Sequence, residues 1–302
     1  MAAEPATRST STTRTLPVPG ATLTYDIRGD LAQAGPHRPV LMLVGSPMAA
    51  EGFATLASYF TDRTVVTYDP RGVGRSVRQD GHGELRPEEH AEDLRRVVED
   101  LDAGPVDLFG SSGGAVNGLA LVAARPDLVR RYVAHEPPVA TVLPDSAQVS
   151  AACADIHATY QRSGTGPAMA KFLALTSRKG LFPDSSADPD GEGEPALDPA
   201  AFDLPTEDDG TRDDPLLGQN LRGCTTYRPD FAALSAAGTR IVLAAGEESE
   251  GQMCARAAEA VADRLGTRLV SFPSHHGGFL GGEFGQQGEP EPFAWALREA
   301  LE

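Results

Sequence analysis

Three cysteines in 302 residues, Cys153, Cys224 and Cys254, are too few and too widely spaced for a disulfide framework or a zinc pattern. They read as thiols of a reducing compartment. No apolar run approaches the roughly 20 residues needed to span a bilayer. Residues 1–14 are rich in Ser, Thr and Ala but have no apolar core, so they read as a disordered tail, neither secretory signal nor anchor. A cytoplasmic protein is the expectation. Basic residues are scarce: 26 Lys and Arg face 43 Asp and Glu, a net charge of −17. Such a chain repels phosphates, which argues against nucleic acid or a membrane surface as partner. Internal repeats are missing too. Gly72-Val73-Gly74 lacks the third glycine of a dinucleotide loop, Val77 standing in its place. No cofactor is called for.

The acidic charge is concentrated. Residues 184–214 hold twelve Asp and Glu against one basic residue, Arg212, and are interrupted by four prolines, with a fifth, Pro183, just before them. Proline removes a backbone donor and fixes φ, so neither helix nor central strand can run through, and a solvated, mobile loop is expected. On either side, strand-like and helix-like runs alternate. Strands are expected over residues 21–28, 40–44, 64–68, 106–109, 131–135, 241–245 and 268–272. Helices are expected over residues 50–60, 87–101, 115–124, 148–161, 167–176, 252–265 and 293–301. Within 87–101, Leu94, Val97, Val98 and Leu101 recur at helical spacing on one face. Alternation of this kind predicts an α/β protein, a mostly parallel central sheet with helices on both faces and catalytic groups at the strand C-terminal ends.

Gly110-Ser111-Ser112-Gly113-Gly114 lies between a strand-like run and a small-residue helix. Strand, sharp turn and helix is the context in which G-x-S-x-G forms a nucleophile elbow, with Ser112 lifted from the turn above a helix N-terminus. Together with Leu41-Met42-Leu43-Val44-Gly45-Ser46-Pro47 and Asp69-Pro70-Arg71-Gly72-Val73-Gly74-Arg75-Ser76, in this order and spacing, the elbow resembles the α/β-hydrolase superfamily. The resemblance spans nearly the whole chain. It implies a core over residues 15–136 and 238–302, and a helical cap inserted late in the sheet over residues 137–237.

The resemblance also implies a Ser-His-acid triad and an oxyanion hole. The hole's backbone donors would be the N–H groups of Ser46 and Gly113, although Val44 stands where the family commonly has His. Asp69 and Arg71 then shape their loop rather than do chemistry. Among seven histidines, His275 and His276 follow the last strand, where the base belongs in chain order; His276-Gly277-Gly278-Phe279 favours His276. His90, among Glu88, Glu89 and Glu92, reads as part of a solvated face, and His135 as a candidate for the pocket wall. The acid is expected after the strand 241–245, in Gly246-Glu247-Glu248-Ser249-Glu250. Glu248 is the first choice, Glu250 and Glu247 the next, and Glu136 a second site.

These features predict a cofactor-free serine hydrolase acting on a carboxylic ester or similar small acyl substrate through an acyl-enzyme. Thioester, amide or peptide hydrolysis and perhydrolysis could use the same triad. A non-catalytic ligand-binding member of the fold is the alternative from another class. Ser112, rather than Asp, at the nucleophile position disfavours epoxide hydrolysis and dehalogenation.

Overall fold

A computed structural model describes residues 11–183 and 198–302. Its nine strands are β1 (Ser11–Val18), β2 (Ala21–Arg28), β3 (Leu41–Val44), β4 (Val65–Asp69), β5 (Val77–Arg78), β6 (Val106–Ser111), β7 (Val129–His135), β8 (Arg240–Gly246) and β9 (Val270–Phe272). They form one sheet in the order β1-β2-β4-β3-β6-β7-β8-β9, with β5 on β2. From β4 through β9 all pairings are parallel, while β1, β2 and β5 are antiparallel. The helices are α1 (Ala54–Ser58), α2 (Pro87–Leu101), α3 (Gly113–Ala124), α4 (Ser146–Ser163), α5 (Thr165–Ser177), α6 (Leu221–Thr226), α7 (Phe231–Ala236), α8 (Met253–Arg264) and α9 (Pro290–Ala300). The α/β architecture is the one read from the alternating pattern.

Strand β3 shows why the sheet is covered on both faces. All four of its residues are buried, as a central parallel strand requires. Met42 and Val44 enter the core shared with α2 and α3, while Leu41 and Leu43 enter the opposite core with Phe53, Phe109, Phe279 and Phe293. Helix α2 buries Leu94, Val97, Val98 and Leu101. Helix α3 is buried on nearly every side, which its Gly and Ala residues permit. A third cluster, including Cys153, Ile156, Tyr160, Leu175 and Leu217, holds the helices inserted between β7 and β8 together.

Several boundaries differ from expectation. Residues 11–14 are strand rather than tail, since β1 pairs along its whole length with β2; residues 1–10 lie outside the described residues. Instead of one helix over residues 50–60, a 3₁₀ turn (Ala50–Phe53) leads into α1. In the acidic stretch, residues 184–197 lie outside the described residues. The remainder is exposed yet tied down: Arg212 pairs with Asp208 at 2.7 Å and lies over the Tyr160 ring, and the Tyr160 hydroxyl accepts from the Asp214 amide at 2.9 Å. Among the described residues, no helix is long and apolar enough to cross a membrane.

Candidate functional site

The turn from β6 into α3 holds Ser112 at φ 56° and ψ −127°. A non-glycine residue in that region is strained, by about 1–3 kcal/mol, and persists only where neighbours enforce it. Here the Ser112 amide donates to the His135 carbonyl at 3.0 Å, and its own carbonyl accepts from Ala115 at 2.9 Å. Glycine is needed beside it because the Gly45–Pro47 loop is pressed against the start of α3. A Cβ on Gly114 would drive into the Val44 carbonyl oxygen, and one on Gly113 would stand 2.5 Å from that of Ser46. Neither the Ser46 nor the Gly113 amide donates to an acceptor among the described residues. Both residues line the same cavity as Ser112, and the Gly113 amide lies at the positive end of α3.

His276 sits on the loop after β9. Its Nδ1 is hydrogen-bonded to Oε2 of Glu136, the residue directly following β7. Glu136 is fully buried, and its Oε1 accepts from the Gly246 amide at 2.8 Å. Burial pushes this carboxyl up, but the hydrogen bond and charge of His276 outweigh it and hold the pKa down at about 2. Burial likewise disfavours the His276 cation; the Glu136 carboxylate reverses this, and the imidazole pKa is raised above its ordinary value. Ser112 and His276 line the same cavity, although no hydrogen bond joins them among the described residues. Catalytic contacts are often slack until substrate binds.

Glu248 is not the partner of His276, which corrects the expectation from sequence. Residues 247–249 wind into a 3₁₀ turn that leaves Glu247 and Glu248 exposed and turns Ser249 inward. Only the backbone of Glu248 reaches the histidine loop, its amide donating to the Ser274 carbonyl at 3.1 Å. Glu250 is also exposed. Glu136, the second site considered, reaches the ring because its φ of 49° swings the chain as it leaves β7. Ser112, Glu136 and Ser274 are three of the six described non-glycine residues with positive φ. They lie on the loops that carry Ser112, Glu136 and His276.

The neighbouring His275 is occupied elsewhere. Its Nδ1 accepts from the Gly277 amide at 3.0 Å, which leaves Nε2–H to donate to the Gln287 carbonyl at 3.2 Å. His135 does not line the cavity. It is fully buried beneath His276, with ring centroids 6.1 Å apart, among Phe109, Phe272, Phe279 and Phe293. Burial lowers its pKa to about 4, so it is neutral near pH 7. His90, expected on a solvated face, is buried with Nε2 against Asn220 Oδ1 at 2.7 Å. Asp69 and Arg71 make structural contacts: Asp69 holds the Ala50 amide at 2.8 Å, and Arg71 grips both oxygens of Asp93 at 2.7 Å.

The cavity has a volume of about 600 Å³. The inserted helices supply Phe172, Leu173, Leu216, Leu221 and Cys224, while Met253 comes from α8; among the described residues no Asp, Glu, Lys or Arg lines it. Burial raises the Cys224 thiol to about 12, so it serves as a neutral wall rather than a nucleophile.

A family model described as the alpha/beta hydrolase fold matches residues 38–161. The chain has the α/β-hydrolase fold. It is 29% identical over 273 residues to the uncharacterized hydrolase YraK of Bacillus subtilis (strain 168), covering 88% of this chain and 89% of that protein. Among solved structures, the enol-lactonase from Burkholderia xenovorans LB400 superposes with a TM-score of 0.63 at 16% identity, covering 95% of this chain and 99% of that one. A thermophilic esterase from Thermogutta terrifontis gives 0.62 at 19%, covering 95% and 96%. At such identities the structural likeness speaks for the fold alone. In this chain the elbow, the Gly45–Pro47 loop and the histidine loop all lie at the C-terminal edge of the parallel strands.

Proposed function

We propose that this chain is a serine hydrolase that cleaves uncharged carboxylic esters, with Ser112 as nucleophile, His276 as base and Glu136 as acid. The observation that carries the reading is the bond from His276 Nδ1 to buried, ionised Glu136, in a cavity that also holds the strained Ser112. A serine hydroxyl is too weak a nucleophile alone. His276 Nε2 takes its proton as Oγ attacks the ester carbonyl carbon, and the carbonyl π pair moves onto oxygen. The Ser46 and Gly113 amides meet that oxyanion. As it collapses, the C–O bond to the alcohol breaks, and the alcohol leaves with the proton from His276. Water repeats the sequence on the acyl-enzyme and releases the acid. Through both halves Glu136 keeps the proton on Nδ1 and stabilises the imidazolium.

The cavity wall supports an uncharged substrate. A buried charge without a partner is costly, and among the described residues this wall offers no Asp, Glu, Lys or Arg as counter-ion. The chain's net charge of −17 further repels anionic esters. About 600 Å³ accommodates a small or medium-sized ester. The fold is shared with proteins titled as an esterase and an enol-lactonase, which makes lactones a natural part of the panel. The test is turnover of p-nitrophenyl butyrate beside p-nitrophenyl hemisuccinate. The neutral ester is the better substrate by kcat/KM, and Ser112→Ala abolishes its turnover. Equal turnover of both esters contradicts the uncharged pocket, and an active Ser112→Ala contradicts the nucleophile.

A further inference from the structure

Several hydroxyls packed near this site have partners, although buried Ser249 Oγ, which does not line the cavity, has none. Ser111 Oγ meets His135 Nδ1 at 3.2 Å, Ser76 Oγ donates to the Asp69 carbonyl at 2.6 Å, and Thr225 Oγ1 donates to the Leu221 carbonyl at 2.8 Å. Ser46 is different. The residue is 5% exposed, and its Oγ is enclosed with no hydrogen-bond partner. Orphaned buried hydroxyls are uncommon and destabilising. Yet Ser46 lines the cavity together with Ser112, Gly113 and His276, and its carbonyl is pressed against Gly113. Pro47, the next residue, has no N–H to offer there.

We propose that the Ser46 hydroxyl is a third donor of the oxyanion hole, unpartnered in the resting chain and satisfied only when an ester carbonyl becomes tetrahedral. The inference rests on the serine-hydrolase reading and adds a catalytic side chain to it. A turn about the Cα–Cβ bond between staggered positions redirects Oγ while the Ser46 amide stays in place. As Ser112 Oγ bonds to carbon and its proton passes to His276, the carbonyl oxygen gains the π pair. Ser46 Oγ–H donates to that oxygen and keeps its own proton throughout. The contact is stronger to an oxyanion than to a neutral carbonyl, so it acts on kcat more than on KM.

The test compares wild type with Ser46→Ala on p-nitrophenyl butyrate, with an alkyl trifluoromethyl ketone as probe, because its serine adduct places an oxyanion in the hole. Loss of one oxyanion donor lowers kcat by about tenfold to a thousandfold. The expected result is such a fall with KM nearly constant, the ketone Ki rising by the same factor, and activity partly restored in Ser46→Thr. If the alanine variant does not fold, Ser46→Gly carries the same comparison. A kcat within about threefold of wild type, or a fall accompanied by a higher KM and an unchanged ketone Ki, overturns the proposal. Ester turnover that survives Ser112→Ala overturns the underlying reading instead, so the two failures are distinguishable.

Discussion

Replacing Glu136 with glutamine removes one charge from a buried site while keeping nearly the same shape. The Gly246 amide still finds an acceptor in Oε1. At the other end, a carboxylate oxygen beside His276 Nδ1 becomes an NH₂ group. A donor there favours the tautomer with its lone pair on Nδ1 and its proton on Nε2, which cannot accept from Ser112. The imidazolium formed during attack also loses its buried counter-ion. A defect of this kind costs about a thousandfold to ten-thousandfold in kcat, or about 4 to 5.5 kcal/mol. The pH profile supplies a second readout. Activity requires neutral His276, whose pKa Glu136 raises above 6.5, so wild-type activity rises with pH through an apparent pKa above that value. Without the carboxylate only burial acts on the ring, and burial lowers the pKa. The residual activity of Glu136→Gln therefore begins at lower pH than that of wild type. Steady-state kinetics between about pH 4 and 9 test both points. An active Glu136→Gln, an unmoved limb, or an inactive Glu248→Gln would refute the reasoning.

Three further outcomes follow from the same geometry. His276→Ala loses activity about as severely as Ser112→Ala, by several orders of magnitude, because the two act as a unit; His275→Ala, whose ring only staples its loop, keeps turnover within about tenfold, as kcat measurements would show. Ser111→Ala, which gives up a hydrogen bond to His135 and not a nucleophile, keeps most of its turnover in the same assay. Gly114→Ala lowers stability by about 1–3 kcal/mol in urea melts, because the added Cβ meets the Val44 carbonyl; stabilisation by alanine's helix propensity would instead show that the loop yields freely.

The elbow was legible because its strand, turn and helix are consecutive in the chain. The acid was not. Glu136 and Glu248 each follow a strand of the same sheet, and what separates them is backbone direction. A φ of 49° aims Glu136 at the histidine loop, whereas a 3₁₀ turn rotates Glu248 into solvent. Neither conformation has a strong local signature. His90 carried a signal that its acidic neighbours obscured: it stands four and seven residues before Leu94 and Val97, on the buried face of α2. Strand β1 offered little, since its Ser- and Thr-rich start is exposed and its structure depends on pairing with β2. Its one proline is tolerated at the sheet edge.

The central claim is that Ser112 is an activated nucleophile, and covalent labelling tests it most directly. Incubation with a fluorophosphonate, followed by digestion and mass spectrometry, reads which residue carries the phosphonyl group. The account predicts a single adduct on Ser112, blocked in Ser112→Ala and strongly slowed in His276→Ala and Glu136→Gln. Folded protein that stays unlabelled, or is labelled at another residue, contradicts it.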